Sequence, residues 1–232
     1  MLSKPWILTQ IWQDVLFLHW PVPPHILEQH IPIDLKLDLF EQNAWLSIVL
    51  FKVKGQRLRM LPPFPGTDSY VQLNIRTYVT YKEKKGIYFF TLDVSNHFVA
   101  QLASMGGLKY RYAKMALRQN GNNYSFTGHS NIFKERARIS YKPLPSEITS
   151  SNFDKWLVER YCSWTKSNNL LLRIDIHHLP WQLQKAQINI ERNTLAPFIN
   201  EMLQRTQPIV HFAKCRKAKI FLPVIEQKNQ IY

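Results

Sequence analysis

The sequence predicts an α+β fold that is mainly β, a largely antiparallel sheet able to close into a barrel with a few peripheral helices. Three observations predict it. Segments of apolar–polar alternation recur along the chain, tight-turn signals join neighbouring segments, and the strand-then-helix alternation of a doubly wound fold is missing. Neither GxGxxG nor GK[ST] occurs, which removes the dinucleotide-fold and P-loop readings. The 232 residues fall within the range that mixed and all-β folds reach as one domain, and 45% hydrophobic and 13% aromatic content supplies a core. One domain over residues 1–232 is therefore expected.

Taken in order, Trp12 to Trp20 is apolar and aromatic, and Pro21-Val-Pro-Pro24 bars a helix from continuing through it. A short helix is expected at His25 to His30. Leu35, Leu37 and Leu39 alternate with Lys36 and Asp38 as in a half-buried strand, and Trp45 to Val53 is a strand buried on both sides. After the loop Pro62-Pro63-Phe64-Pro65-Gly66 comes the clearest element. Val71, Leu73, Ile75, Thr77, Val79 and Tyr81 share one strand face, and Gln72, Asn74, Arg76, Tyr78 and Thr80 share the other.

Lys82 to Gly86 is a loop of hairpin length, and Ile87 to Val94 returns as a strand. His97 to Met105 reads as a helix ended by Gly106-Gly107. Asn120 to Asn123 turns between strands Met115–Arg118 and Tyr124–Gly128, and Ile132 to Tyr141 alternates until Pro143. Phe153 to Tyr161 is the best helix, with Ser151 as its cap and Asp154 favouring its dipole. Leu171–His178 and Gln182–Ile190 are strands. A helix after Thr194 tolerates Pro197 in its first turn. Two short strands, Ile209–Phe212 and Ala218–Val224, complete the set.

Thirty Lys plus Arg against 16 Asp plus Glu give a formal charge of +14. The charges are dispersed: Lys82–Lys85 sits in a loop, Lys134-Glu135-Arg136 is mixed in sign, and Lys214, Arg216, Lys217 and Lys219 alternate with apolar residues. This reads as a solvated surface rather than a nucleic-acid site. Cys162 and Cys215 show no C-x-x-C spacing and are expected to be reduced thiols. Met1 to Asp14 lacks the pattern of a secretory signal and no apolar run spans a bilayer, so a cytoplasmic location without membrane attachment is expected. No clustered His, Cys, Asp or Glu suggests a metal, and no cofactor is expected.

The candidate chemistry centres on Gln72, Asn74, Arg76 and Tyr78. Facing outward, they are an ordinary solvated strand face. If the sheet curls, an arginine fork and two amides point into a cavity that would take a carboxylate or carbonyl oxygen. A hairpin register pairing Arg76 with Asp93 would make an ion pair; a slip of one residue pairs it with Leu92. His19 either lines the cavity or is a hydrogen-bonded core residue. His177 and His178, adjacent on a strand, point to opposite faces, so they cannot form a two-ligand metal pair.

Several stretches resemble the YqjF-like family within the acetoacetate decarboxylase-like superfamily. They are Asp14 to Pro23, Ala44 to Phe51, Leu73-Asn-Ile-Arg-Thr-Tyr-Val79, Gly86 to Asp93, Glu159-Arg-Tyr161 and His178-Leu-Pro-Trp181. The resemblance implies an acetoacetate decarboxylase-like antiparallel barrel or cone around a central cavity, and no defined reaction. The superfamily's namesake enzyme forms a Schiff base through a lysine that follows a proline. By resemblance that lysine's position holds Tyr110, and Lys109 stands where the proline is usual; Lys109 is either a displaced cavity amine or a surface residue. The family's glutamate before the Leu-Asn-Val-Arg stretch is Gln72, which takes up no proton at neutral pH.

The resulting expectation is a cavity for a small carbonyl or carboxylate compound lined by Gln72, Asn74, Arg76, Tyr78, Tyr110 and His19, with Lys109 as the candidate Schiff-base residue of a divergent lyase acting on a keto or hydroxy acid. The competing expectation is a non-catalytic module whose basic surface recruits an anionic partner. Either could assemble as a homo-oligomer.

Overall fold

The computed structural model describes residues 5–63, 65–105, 110–129, 136–167 and 170–226. The strands are β1 (Trp6–Val22), β2 (Lys36–Leu37), β3 (Ala44–Leu58), β4 (Ser69–Tyr81), β5 (Lys84–Val94), β6 (Tyr110–Tyr112) and β7 (Lys114–Asn120). They continue as β8 (Asn123–His129), β9 (Arg136–Glu147), β10 (Cys162–Ser167), β11 (Leu170–His177), β12 (Gln184–Asn193), β13 (Ile209–Phe221) and β14 (Val224–Glu226). The helices are α1 (Pro24–Glu28), α2 (His97–Met105), α3 (Asn152–Val158) and α4 (Asn200–Arg205), the last preceded by a 3-10 turn at Pro197–Ile199.

The strands form a ring in the order β11-β10-β5-β4-β3-β1-β13, and β13 closes it by pairing back to β11 at Ile176↔Ile220 and His177↔Lys219. Its pairs are antiparallel except β10 with β5. From β13 the sheet continues through β12, β9, β8 and β7. This extension covers the outside of the ring: Leu18 and Trp20 of β1, Leu46 and Ile48 of β3, and Leu73 and Ile75 of β4 pack against Phe126, Ile139 and Tyr141. Inside the ring lies a second core, with Phe17, Val49, Phe51 and Tyr78 against Leu157 and Val158 of α3 and Trp181. Closure gives every ring strand a partner on both sides, and gives β4 an apolar neighbour on one face and the ring interior on the other.

Local irregularities set what faces inward. Asp14 sits at φ 54, and the β1–β3 register shifts between Gln13 and Leu16. Before this bulge the even-numbered Leu8, Gln10 and Trp12 line the interior; after it the odd-numbered Val15 and Phe17 do. One added residue exchanges the two faces of a strand. The buried Asp14 carboxylate accepts hydrogen bonds from Lys214 Nζ at 2.5 Å and from the Tyr124 hydroxyl at 3.1 Å. At Gly86 a Cβ would stand 2.6 Å from Cys162 Sγ and 2.8 Å from the Cys162 carbonyl oxygen, so the missing side chain lets β10 approach β5.

Several expectations change. The β4–β5 hairpin turns on Lys82 (φ 47) and Glu83 (φ 61) alone, the geometry of a two-residue type I′ turn, so β5 already begins at Lys84. β9 runs past Pro143 and Pro145 to Glu147; its pairing with β8 ends at Tyr141, so on that side no ladder bond is lost to the prolines. The two short C-terminal strands are mostly one, β13, held along its length by β1 from His19↔Ile209 to Trp6↔Phe221. Helix α3 stops at Val158, three residues before the expected Tyr161, and Arg160 leaves the helix. The expected Gly106-Gly107 terminator and the start of the Ile132 strand lie outside the described residues. Among the described residues, no helix is long and apolar enough to cross a membrane.

Candidate ligand-binding cavity

The ring encloses a cavity of about 220 Å³. Gln72, Asn74 and Arg76 of β4 form its polar wall, while Trp12, Phe17 and Phe51 from β1 and β3, Phe89 of β5, and Trp181 form an aromatic one. Trp12 and Trp181 stack with centroids 6.0 Å apart and planes 13° from parallel, and Phe17 meets Trp181 edge-on at 5.1 Å. Gln10 is fixed deep in the wall: its Nε2 donates to Gln56 Oε1 at 2.7 Å, and its Oε1 accepts from Trp12 Nε1 at 2.8 Å.

Arg76 is 8% exposed, and its Nε and Nη2 have no hydrogen-bond partner among the described residues. Its register partner is Phe89, because the β4–β5 ladder shifts between Ile75 and Arg76. Neither pairing drawn from the sequence occurs: Asp93 lies opposite Leu73, and its carboxylate binds Arg111 Nε at 2.6 Å and Nη2 at 2.9 Å. Burial lowers the guanidinium pKa of Arg76, the Tyr78 hydroxyl opposes that shift, and nearby Arg160 adds to it. An arginine still holds its proton in such a place, so the cavity carries a desolvated positive charge. Arg160 differs in having a carboxylate, with Nη1 2.5 Å from Asp38 Oδ2, and its guanidinium lies over Trp156 at 4.5 Å and Tyr78 at 4.8 Å.

Behind Arg76 runs a buried polar chain. The Tyr78 hydroxyl lies 2.5 Å from Ser47 Oγ and 3.1 Å from His19 Nδ1, and Ser47 Oγ is 2.6 Å from the same nitrogen. The His19 ring meets His211 edge-on at 5.3 Å, and His211 Nε2 lies 3.0 Å from Asp154 Oδ1. Asp154 also closes a capping box with Ser151. His19 is held well below the ordinary histidine pKa, chiefly by burial and then by His211 and Arg76, so the ring is neutral.

Two further groups face the cavity with defined protonation. His178 Nδ1 lies 2.8 Å from the Leu179 carbonyl oxygen, which only accepts, so Nδ1 carries the proton and Nε2 the lone pair. Burial lowers its pKa despite that hydrogen bond. The Tyr110 phenol is pushed up to about 12 by burial, with a hydrogen bond to Gln72 pulling the other way. Among the described residues no lysine lines the cavity and no group of three or more His, Cys, Asp or Glu could hold a metal.

Residues 9–216 match the DUF2071 family, described as an uncharacterized conserved protein. The chain belongs to this family. It is 39% identical over 227 residues to the uncharacterized protein YqjF of Bacillus subtilis (strain 168), covering 94% of this chain and 92% of that one. Among solved structures it is similar to an acetoacetate decarboxylase-like enzyme from Sphingomonas wittichii RW1 (TM-score 0.69, 10% identity, 97% of this chain and 94% of that one). It is also similar to the enduracididine biosynthesis enzyme MppR complexed with pyruvate (TM-score 0.66, 8% identity, 97% and 91%). At these identities the likeness is one of fold, which is acetoacetate decarboxylase-like and mainly β.

Of the residues singled out from the sequence of this DUF2071 protein, Gln72, Asn74, Arg76 and Tyr110 meet at the cavity. Tyr78 and His19 are buried behind Arg76 and line none of it. The reason is local: Tyr78 packs against Trp156 at 4.6 Å, and its hydroxyl is taken up by Ser47 and His19. Lys109 lies outside the described residues. Arg160, Gln10, Trp12, Thr91 and Trp181 also line the cavity and were not singled out. Two signals could have found some of them, since Arg160 and Trp181 sit in the stretches Glu159-Arg-Tyr161 and His178-Leu-Pro-Trp181 that carry the family resemblance.

Proposed function

We propose that this DUF2071 protein binds a small organic acid inside the ring, with its carboxylate on Arg76. One observation carries the reading: a buried arginine whose Nε and Nη2 lack partners among the described residues faces a cavity large enough for a small molecule. A buried, unpaired guanidinium is costly, and a carboxylate offers it two parallel hydrogen bonds. The pyruvate held by MppR, on the same fold, supports the choice of ligand class. Gln72, Asn74 and Tyr110 complete the polar wall, and Tyr78 and His19 act from behind by holding Arg76.

In its catalytic form the reading is a lyase-like activity on a keto or hydroxy acid, with His178 and Tyr110 in the cavity wall beside the bound acid. A Schiff base at Lys109 is the sharper form of this reading; borohydride treatment with pyruvate should leave a mass adduct on Lys109, and its absence removes that form. The protein is placed in the cytoplasm as one domain over 1–232 on the sequence reading alone.

Thermal-shift and calorimetric titration with pyruvate, lactate and acetoacetate test the main reading. Arg76→Ala should weaken any acid that binds by roughly 30- to 150-fold, the equivalent of about 2–3 kcal/mol for a charged hydrogen-bond pair. Unchanged affinity would remove Arg76 from the site.

A second reading has its own observation. The register sets Lys54 and Lys217 on either side of Ile11, and Arg57 and Lys219 on either side of Thr9, with Lys52 beside Gln13. None of these five cations is paired with a carboxylate among the described residues. This band would recruit an anionic partner. Retention on heparin that falls steeply with salt supports it; elution at low salt opposes it.

A further inference from the structure

We infer that the acid taken up by the ring cavity is an aryl-substituted 2-hydroxy acid, chosen over its keto counterpart by hydrogen-bond sense. This rests on the reading that Arg76 holds a carboxylate.

Among the described residues, the unsatisfied atoms of the cavity are of three kinds. Arg76 Nε and Nη2, Arg160 Nη2 and Trp181 Nε1 are donors without acceptors, Gln72 Oε1 and Asn74 Oδ1 are acceptors without donors, and the Thr91 hydroxyl can act as either. Five of these side chains are more than nine-tenths buried: Arg76 is 8% exposed, Trp181 8%, Arg160 6%, Gln72 6% and Asn74 4%. A carboxylate only accepts, so it satisfies Arg76 and leaves both amide oxygens bare. A keto oxygen on the neighbouring carbon is another acceptor and faces them with like partial charge. A hydroxyl at that carbon donates.

The spacing suits this arrangement. Asn74 and Arg76 are two residues apart on one strand face, with Cα atoms about 6.5–7 Å apart, a distance that two side chains converging on adjacent substituents of one ligand span. The inward direction of both follows from the alternation of β4, whose other face packs Leu73 and Ile75 into the outer core.

The tail follows from the opposite wall. Trp12, Phe17, Phe51, Phe89 and Trp181 supply aromatic surface, and the cavity measures about 220 Å³. An apolar cavity of about 150 Å³ is enough for benzene. The remainder fits an acid head of a few atoms, so the volume matches a phenyl ring plus a 2-hydroxyacetate group. Pyruvate or lactate alone would leave the aromatic wall uncovered.

The test uses ligands of one skeleton on the unmodified protein: mandelate, benzoylformate and phenylacetate, which differ only in a hydroxyl, a keto oxygen or two hydrogens on the carbon beside the carboxylate. Lactate removes the ring and mandelamide removes the charge. Calorimetry should give mandelate a Kd at least about tenfold lower than each of the others. In Asn74→Ala the gap between mandelate and phenylacetate should close to within about twofold.

Benzoylformate binding as well as mandelate overturns the hydroxy-acid inference and leaves the Arg76 reading standing. Lactate binding as well as mandelate overturns the aryl tail. Mandelamide binding as well as mandelate, or no binding of mandelate, lactate or pyruvate at millimolar concentration, overturns both the inference and the reading beneath it.

Discussion

At the scale of single residues, Arg76 is held by groups that never meet the cavity. The Tyr78 hydroxyl meets Ser47, His19 and the Arg76 guanidinium at once, so it fixes the fork in place and favours its charged form against burial. Tyr78→Phe removes the hydroxyl and leaves Ser47 Oγ and His19 Nδ1 to each other. It should lower stability by about 1–2 kcal/mol, the usual cost of disturbing a buried hydrogen-bond network, seen as an earlier denaturant midpoint at unchanged slope. An unchanged midpoint would mean the hydroxyl is idle. The alternation Gln72-x-Asn74-x-Arg76 was readable because strand period is fixed at two. That Tyr78 and His19 would stand behind the wall was not, since it depends on which ring packs over Tyr78 and which hydroxyls His19 meets across the sheet.

At the scale of elements, two close fits position the site. β10 approaches β5 over Gly86, where any Cβ would meet the Cys162 backbone oxygen at 2.8 Å and Trp164 Nε1 at 2.8 Å. Gly86→Ala forces the two strands apart and should destabilise by about 1–3 kcal/mol, as overpacking does, which thermal denaturation would register. Helix α3 brings Asp154 to His211 and leads into Arg160, and it starts on the Ser151–Asp154 capping box. Ser151→Ala should cost about 1 kcal/mol. The cap was legible because serine followed three residues later by an acid has one common use. The identity of β1 as a strand was not: Asp14 to Trp20 is buried on both faces and the Asp14 bulge breaks its period, so no alternation survives to be read. Likewise β13 reads as two pieces because Lys214 to Lys219 looks like solvent-facing chain until β1 is seen to pair it throughout.

At the scale of the whole molecule, buried histidines couple stability to pH. His19, His178 and His211 all lie below the ordinary histidine value, with burial the main cause in each; for His211 the Asp154 carboxylate offsets part of it. The unfolded chain takes up these protons below about pH 6.5. The folded chain does so only at lower pH, so the unfolded state binds more protons in that window and stability falls as the pH drops through it. For Asp154 burial opposes ionisation, but the Ser151 hydroxyl and amide and then His211 outweigh it, holding the carboxyl below its usual value. Its contribution is full above the ordinary carboxylate range and is lost on further acidification, in the same direction. Melting temperature should therefore decline from pH 7.5 to pH 5; a rise over that range would contradict the buried, neutral histidines.

Ring closure is the other property of this scale. Strand pairs were legible from hairpin signals, but the β11–β13 pairing joins segments some forty residues apart in sequence, and no local pattern encodes it. The resemblance to a barrel family supplied that expectation. Without closure the polar face of β4 would be an ordinary wet surface, so the central claim is that Arg76 awaits an anion inside a ring. Calorimetric titration of mandelate into the protein and its Arg76→Ala variant measures this most directly. The account predicts saturable one-site binding that weakens at least about 30-fold in the variant, as loss of a charged hydrogen-bond pair would. Equal affinity in the two proteins would contradict it.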